Sequence, residues 1–241
     1  MKKLFLIVTL VFVSFAFLCA DVYIKSNTHT DAFEIMGKKQ PAKDEITEQW
    51  IAADKFTNIM SAQTMVVDLS KKMMFVIYHG TQKYVEAPLP LDISQLIPEQ
   101  AAAMMKMMKM TVTVTPTGET KTIGKWNCRG YDVNMNMAVM TMKIKSWATT
   151  DVPFDWQNYS EKMYSVFMKA TMAMLDENAI AEFKKIKGFQ VAGEMTMSVM
   201  GQTMKTVSNV LEISKKPAPA GIYSVPAGYT KQAKLTMKQG F

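Results

Sequence analysis

The stretch WNCRGYDVNMNMAVMTMKIKSW, residues 126–147, decides the fold. Tyr131, Val133, Met135 and Met137 alternate with Asp132, Asn134 and Asn136, a period of two that sends one set of side chains to each side of a β-strand. Met140, Met142 and Ile144 restart the alternation after a slip of phase at Ala138 and Val139. That slip predicts a tight reversal, and two strands joined by a short reversal pair antiparallel. Gly130 suits a bulge that turns Cys128 inward together with Tyr131.

Working outward, the same pattern recurs. Upstream lie TVTVT (111–115), a turn at Thr117 and Gly118, and ETKTI (119–123). Further upstream, 22–88 is a series of short β-branched and aromatic runs: VYIKSNTHTDAFEIM, ITEQWIA, KFTNIMS, TMVVDLS, MMFVIYH and KYVEA. Breaks at 53–54, 61–63 and 80–82 separate them. Downstream, FQVAGEMTMSV and TMKTVSNVLEIS flank a turn at 200–202.

Two segments have the helical period instead. With Asp92 as N-cap, Ile93, Ile97, Ala101, Met104 and Met108 share a stripe, so MMKMMKM (104–110) is the end of an amphipathic helix. With Asp155 as N-cap, Trp156, Tyr159, Met163, Phe167, Ala170 and Met174 form a second stripe. A short third helix over 178–187 stops at Gly188. The expected fold is α+β: a large curved antiparallel sheet of ten or more strands, an unclosed barrel, with two or three amphipathic helices on its concave face. No linker or fixed repeat divides it, so 21–230 is expected to be one domain and 231–241 a flexible basic tail.

The first twenty residues, MKKLFLIVTLVFVSFAFLCA, have the form of a secretory signal peptide. Lys2 and Lys3 precede an apolar run too short to favour a membrane span, and Ala20 is a small residue before Asp21. A periplasmic or secreted product cleaved after Ala20 is expected, with no integral membrane segment. Lipoprotein processing at Cys19 fits less well, because bulky Leu18 stands where a small residue belongs. With Cys19 removed, Cys128 has no disulfide partner in the chain and is expected to be core. The 49% hydrophobic content excludes a disordered chain. The lysines are scattered in pairs rather than gathered into a basic stripe, which argues against nucleic-acid binding.

TIGKWNCRGYDV (122–133), KSWATTDVP (145–153), KIKGFQVAGEM (185–195) and YSVPAGY (223–229) resemble, in the same order, a secreted bacterial family known as domain of unknown function forty-four twelve. That family is similar to the LolA/LolB-like periplasmic lipoprotein carriers. The resemblance implies an unclosed barrel that holds acyl chains under helices. It carries over no functional residue.

Chemistry narrows the function. His29 and His79 are the only histidines, neither stands in a metal-ligand spacing, and no nucleophile elbow or phosphate-binding glycine loop occurs. A non-enzymatic role without a cofactor is therefore expected. The reading that follows is a binding protein that holds a hydrophobic or lipid-like ligand, such as a lipoprotein acyl chain, in a methionine-rich interior. Its lining is expected from Met104, Met108, Met135, Met137, Met163, Phe167, Met195 and Met197, because an unbranched thioether side chain follows a mobile chain. Two alternatives stay open. Thioethers also suit Cu(I) and Ag(I), although Lys106 and Lys109 would repel a cation at the first cluster. A fully packed core would instead mark an envelope structural or interaction protein.

Overall fold

The alternating runs become strands over most of the chain. A computed structural model describes residues 20–35, 37–92, 97–100, 110–137, 140–161, 176–199 and 201–234. In chain order the elements are β1 (Asp21–Thr30), β2 (Phe33–Ile35), β3 (Lys38–Gln40), β4 (Lys43–Ile51), β5 (Lys55–Ile59), β6 (Gln63–Asp68), β7 (Met73–Tyr78), β8 (Lys83–Pro88), β9 (Thr111–Ile123), β10 (Trp126–Met137) and β11 (Met140–Thr149). Helices α1 (Trp156–Tyr159) and α2 (Glu177–Phe183) follow, then β12 (Phe189–Val199), β13 (Gln202–Lys216) and β14 (Thr230–Lys231). Among the described residues no helix is long and apolar enough to cross a membrane.

Twelve strands form one unclosed sheet in the order β14-β8-β7-β6-β5-β4-β1-β13-β12-β11-β10-β9, and β2 and β3 make a separate hairpin. Every pairing in the large sheet is antiparallel except β14 with β8. β1 is the seam: β4 lies on one side of it and β13 on the other. One meander runs from β4 out to β8, and a second returns from the far edge at β9 to β13.

The two faces of this sheet follow from register, since directly paired residues share a face. One face carries Val22 and Ile24 of β1, Ile51, Phe56, Met65, Val67, Met74, Val76 and Val85 in the first meander, and Tyr131, Val133 and Met135 in the second. Both helices touch it. Tyr159 of α1 packs against Phe56 at 6.4 Å between ring centroids, and Ala179 of α2 joins the cluster of Val114, Tyr131, Val133 and Met135. Each helix begins where its sequence supplies a cap: Asp155 accepts from Asn158 N at 3.0 Å and Asp176 from Ala179 N at 2.8 Å.

The opposite face is covered by the chain itself in the first meander. After β13 the segment 217–229 returns across it to β14, held by Thr57 Oγ1 donating to the Ile222 carbonyl at 3.0 Å and Tyr223 OH donating to Asp21 Oδ2 at 2.7 Å. Further along, the His79 ring is hydrogen-bonded to Thr64 at 2.8 Å and Tyr229 at 3.1 Å. Thr57, Val66 and Ile77 on this face are thereby buried.

Four readings of the sequence are corrected. Thr117 and Gly118 do not make a turn. β9 runs through them and bulges, because Arg129 pairs with Thr120 while Tyr131 pairs with Pro116. Gly130 sits opposite that bulge, where an added Cβ would lie 2.6 Å from Thr117 Oγ1 and 3.2 Å from the Trp147 ring. Cys128 is buried as expected, but on the opposite face from Tyr131, since β10 pairs with β11 without a slip and two residues on share its side only at Gly130. Burial raises its thiol pKa. Ile97 is buried without being helical, because a residue before proline is pushed out of the helical region, whereas Glu99 and Gln100 are helical. The third helix spans Glu177–Phe183 rather than 178–187. Residues 1–19 of the expected signal peptide, Met104, Met108, Met163, Phe167 and the expected reversal at 138–139 lie outside the described residues, although Met137 does pair with Met140 as that reversal requires.

Two stability predictions follow from this packing. Ile24 has no exposed surface and stands on the seam, so Ile24→Ala should cost about 2–5 kcal/mol in urea unfolding. Asp68, 1% exposed, closes the β6–β7 turn by accepting from Ser70 Oγ at 2.6 Å and Lys71 N at 2.9 Å. Burial works to raise its pKa, yet these hydrogen bonds and the charges of Lys71 and Lys55 hold it below the usual value. Its contribution is therefore complete above the unfolded pKa of about 3.9 and disappears as pH falls through the lower folded value. Asp68→Ala should lose about 1–3 kcal/mol at pH 7, and the gap to the parent chain should close as denaturation is repeated down to pH 2.

Candidate functional site

In the middle of the helix-side face the inward positions become small. Ser26 and Thr28 on β1 face Val210 and Ser208 on β13, and Gly193 on β12 stands opposite Ser208 and Ser146. Side chains this short do not fill the space between a sheet and helices, which need about 10 Å from backbone to backbone. A cavity of about 240 Å³ results. Its sheet side is formed by Ser26, Gln49, Gln190, Ser208 and Val210. Its helix side is formed by Trp156 and Tyr159 of α1 and by Ile180 and Phe183 of α2, with Ile186 and Phe189 beyond.

The walls are built from packed rings. Phe154, Trp156, Tyr159 and Phe189 form a ring cluster: Phe189 meets Phe154 edge-on at 5.7 Å and Trp156 at 5.7 Å, while Phe154 meets Tyr159 at 5.8 Å. Edge-to-face packing fixes ring orientation as well as burying area. α2 is tied to the sheet at its C-terminal end and again just beyond it. Glu182 Oε2 accepts from Val114 N at 2.8 Å, and the Tyr131 hydroxyl accepts from Lys187 N at 3.1 Å. Lys185 and that amide hold the Glu182 carboxyl below the usual carboxylate range. Gly188 then turns the chain into β12 with φ of +113°, and a Cβ there would sit 2.3 Å from the Thr149 carbonyl oxygen.

The interior is mainly apolar, with one polar strip on the sheet side. Gln49 Nε2 donates to Asn58 Oδ1 at 3.2 Å, and its Oε1 is buried with no hydrogen-bond partner. Ser208 Oγ turns away to the Gly193 carbonyl at 3.4 Å. Among the described residues that line the cavity, Lys184 is the one charged side chain, and neither histidine takes part. His29 is exposed beside Asp44 and Asp31, and His79 is held in its turn by Thr64 and Tyr229. Among the described residues, therefore, no acid–base pair faces the space. Among the described residues no three of His, Cys, Asp and Glu come together as a metal site.

The four expected lining residues that are described fall in a neighbouring region. Met135, Met137, Met195 and Met197 all stand on the helix-side face, brought together from three strands, with Met135 buried and the others partly buried. The described lining of the cavity contains no methionine. The residues that do form it, Ser26, Gln49, Gln190 and Ser208, come from four strands far apart in sequence. Their signal is small or polar side chains at inward positions, visible only once the register is known.

No protein-family model matches the chain, and no curated protein does.

Gly188→Ala should lower stability by more than about 1 kcal/mol, because the position combines a left-handed backbone with a backbone clash. Thermal unfolding of the variant checks this, and hydrogen exchange should show the loss concentrated at the start of β12.

Proposed function

We propose that this chain is a periplasmic or secreted binding protein that holds a hydrophobic or lipid-like ligand, such as an acyl chain, and catalyses no reaction. In this reading the sheet is the unclosed barrel of a LolA-like carrier, with the helices in its concavity and the signal peptide directing export. The family suggested by the sequence motifs belongs with this reading.

The observation that carries it is the cavity between the helices and the small inward residues of β1, β12 and β13. A volume of about 240 Å³ equals roughly eight water molecules at about 30 Å³ each. It lies just under the range of about 300–1,000 Å³ usual for small-molecule pockets. That size suits a single slender chain better than a bulky ring system. The aromatic wall at Trp156, Tyr159 and Phe189 offers such a chain an apolar surface, and burying each methylene is worth about 0.8 kcal/mol.

Filling the cavity tests the reading. Ser208→Phe puts a ring into the space from a partly buried position on β13. The variant should keep its fold by circular dichroism and bind a fluorescent fatty acid at least tenfold more weakly than the parent chain. Equal binding by the two proteins would remove this cavity as the ligand site.

A further inference from the structure

The register of the second meander carries a separate inference. Met135 on β10 pairs with Met142 on β11, Met142 pairs with Met197 on β12, and Met197 pairs with Met204 on β13. Four methionines from four consecutive strands therefore stand in one straight row on the helix-side face. Met137 and Met140 are paired in the row on one side, and Met195 occupies the row on the other. We propose that this row is a thioether site for a soft monovalent cation, Cu(I) or Ag(I), centred on Met142 and Met197 with a third sulfur from a neighbour in the row.

Sheet geometry supplies the convergence. Directly opposed Cβ atoms lie about 4.5–5.5 Å apart, and the sulfur sits two bonds further out on a side chain with three rotatable bonds. Neighbouring thioethers in a row can thus turn to one ion without any backbone movement. The row is also reachable: Met142, Met197 and Met204 are partly buried, whereas Met135 at its β10 end is buried.

Composition separates this row from ordinary core. The same face in the first meander holds Met65 and Met74 among Ile51, Phe56, Val67, Val76 and Val85, but each is paired with a valine, Val76 and Val67, so no two thioethers stand directly opposite each other there. Methionine is not favoured by strand propensity, yet here it fills neighbouring inward positions on four strands. Charge agrees as well. The lysines interleaved with these methionines, Lys143 and Lys205, stand opposite Thr196 in the alternate row and so lie on the other face, away from a bound cation. Thioethers select soft ions, while Asp132 and Glu194 also belong to the other face, so the row offers nothing to Ca²⁺ or Mg²⁺.

The test uses the purified chain and Ag(I), which needs no reductant. After desalting, about one silver per chain should remain, with only sulfur in its first shell by X-ray absorption. The double replacement Met142→Leu and Met197→Leu keeps volume and apolarity, so the fold should survive as judged by its thermal midpoint. Silver affinity should fall at least tenfold. Met73→Leu, on the opposite face of β7, should change nothing. No retained silver, a shell of nitrogen or oxygen, or equal affinity in the double variant would each overturn the proposal.

Discussion

The pairing of β1 on both of its edges holds the structure together. Residues 22–30 meet β4 on one side and 21–30 meet β13 on the other, so the two meanders are joined strand to strand through β1. Losing that strand would open a long edge on each meander, which in isolation is a template for association. Tyr23 shows how closely the seam is packed. Its ring lies 4.8 Å from that of Trp50, the Lys216 ammonium lies over it at 3.3 Å, and burial with the nearby Glu48 carboxylate pushes its pKa up to about 12. The return of segment 217–229 across the same region, from Asp21 to His79, ties the first meander to the end of the second.

A continuous sheet through β1 also determines where space is left. Large inward residues fill the face in the first meander, and a second cluster fills it around Tyr131 and Val133. Between them, at the seam, the inward positions hold serine, threonine and glycine. The cavity is therefore placed by register: the strands that must be continuous for the fold are the ones that carry the short side chains. Beyond it, toward the tips of β10 to β13, the face changes to methionine. Cavity and methionine row thus lie on one surface and differ in chemistry, one apolar with a polar strip and the other rich in thioethers.

Much of this architecture was legible in the sequence, because alternation is a local property. The hairpin of β7 and β8, the pair of β10 and β11 and the cap at Asp155 follow from residues a few positions apart. Where reading failed, a distant partner decided. Thr117 and Gly118 have turn chemistry, but β10 keeps β9 extended and converts the turn signal into a bulge over Gly130. The face of Cys128 depended on whether that bulge slipped the pairing with β11, which it does not. The cavity was least legible of all. Nothing in the neighbourhood of Ser26, Gln49, Gln190 or Ser208 marks any of them, and they become a site only when four strands are placed side by side. Methionine drew attention to the correct face, while the open space lies one region away.

The most direct measurement is native mass spectrometry of the chain secreted by a bacterial host and purified without detergent. A ligand-holding interior predicts an adduct of a few hundred daltons that leaves with organic solvent and rebinds when the extract is returned. A bare protein mass, unchanged after incubation with that extract, would contradict the account and leave the interior as packing alone.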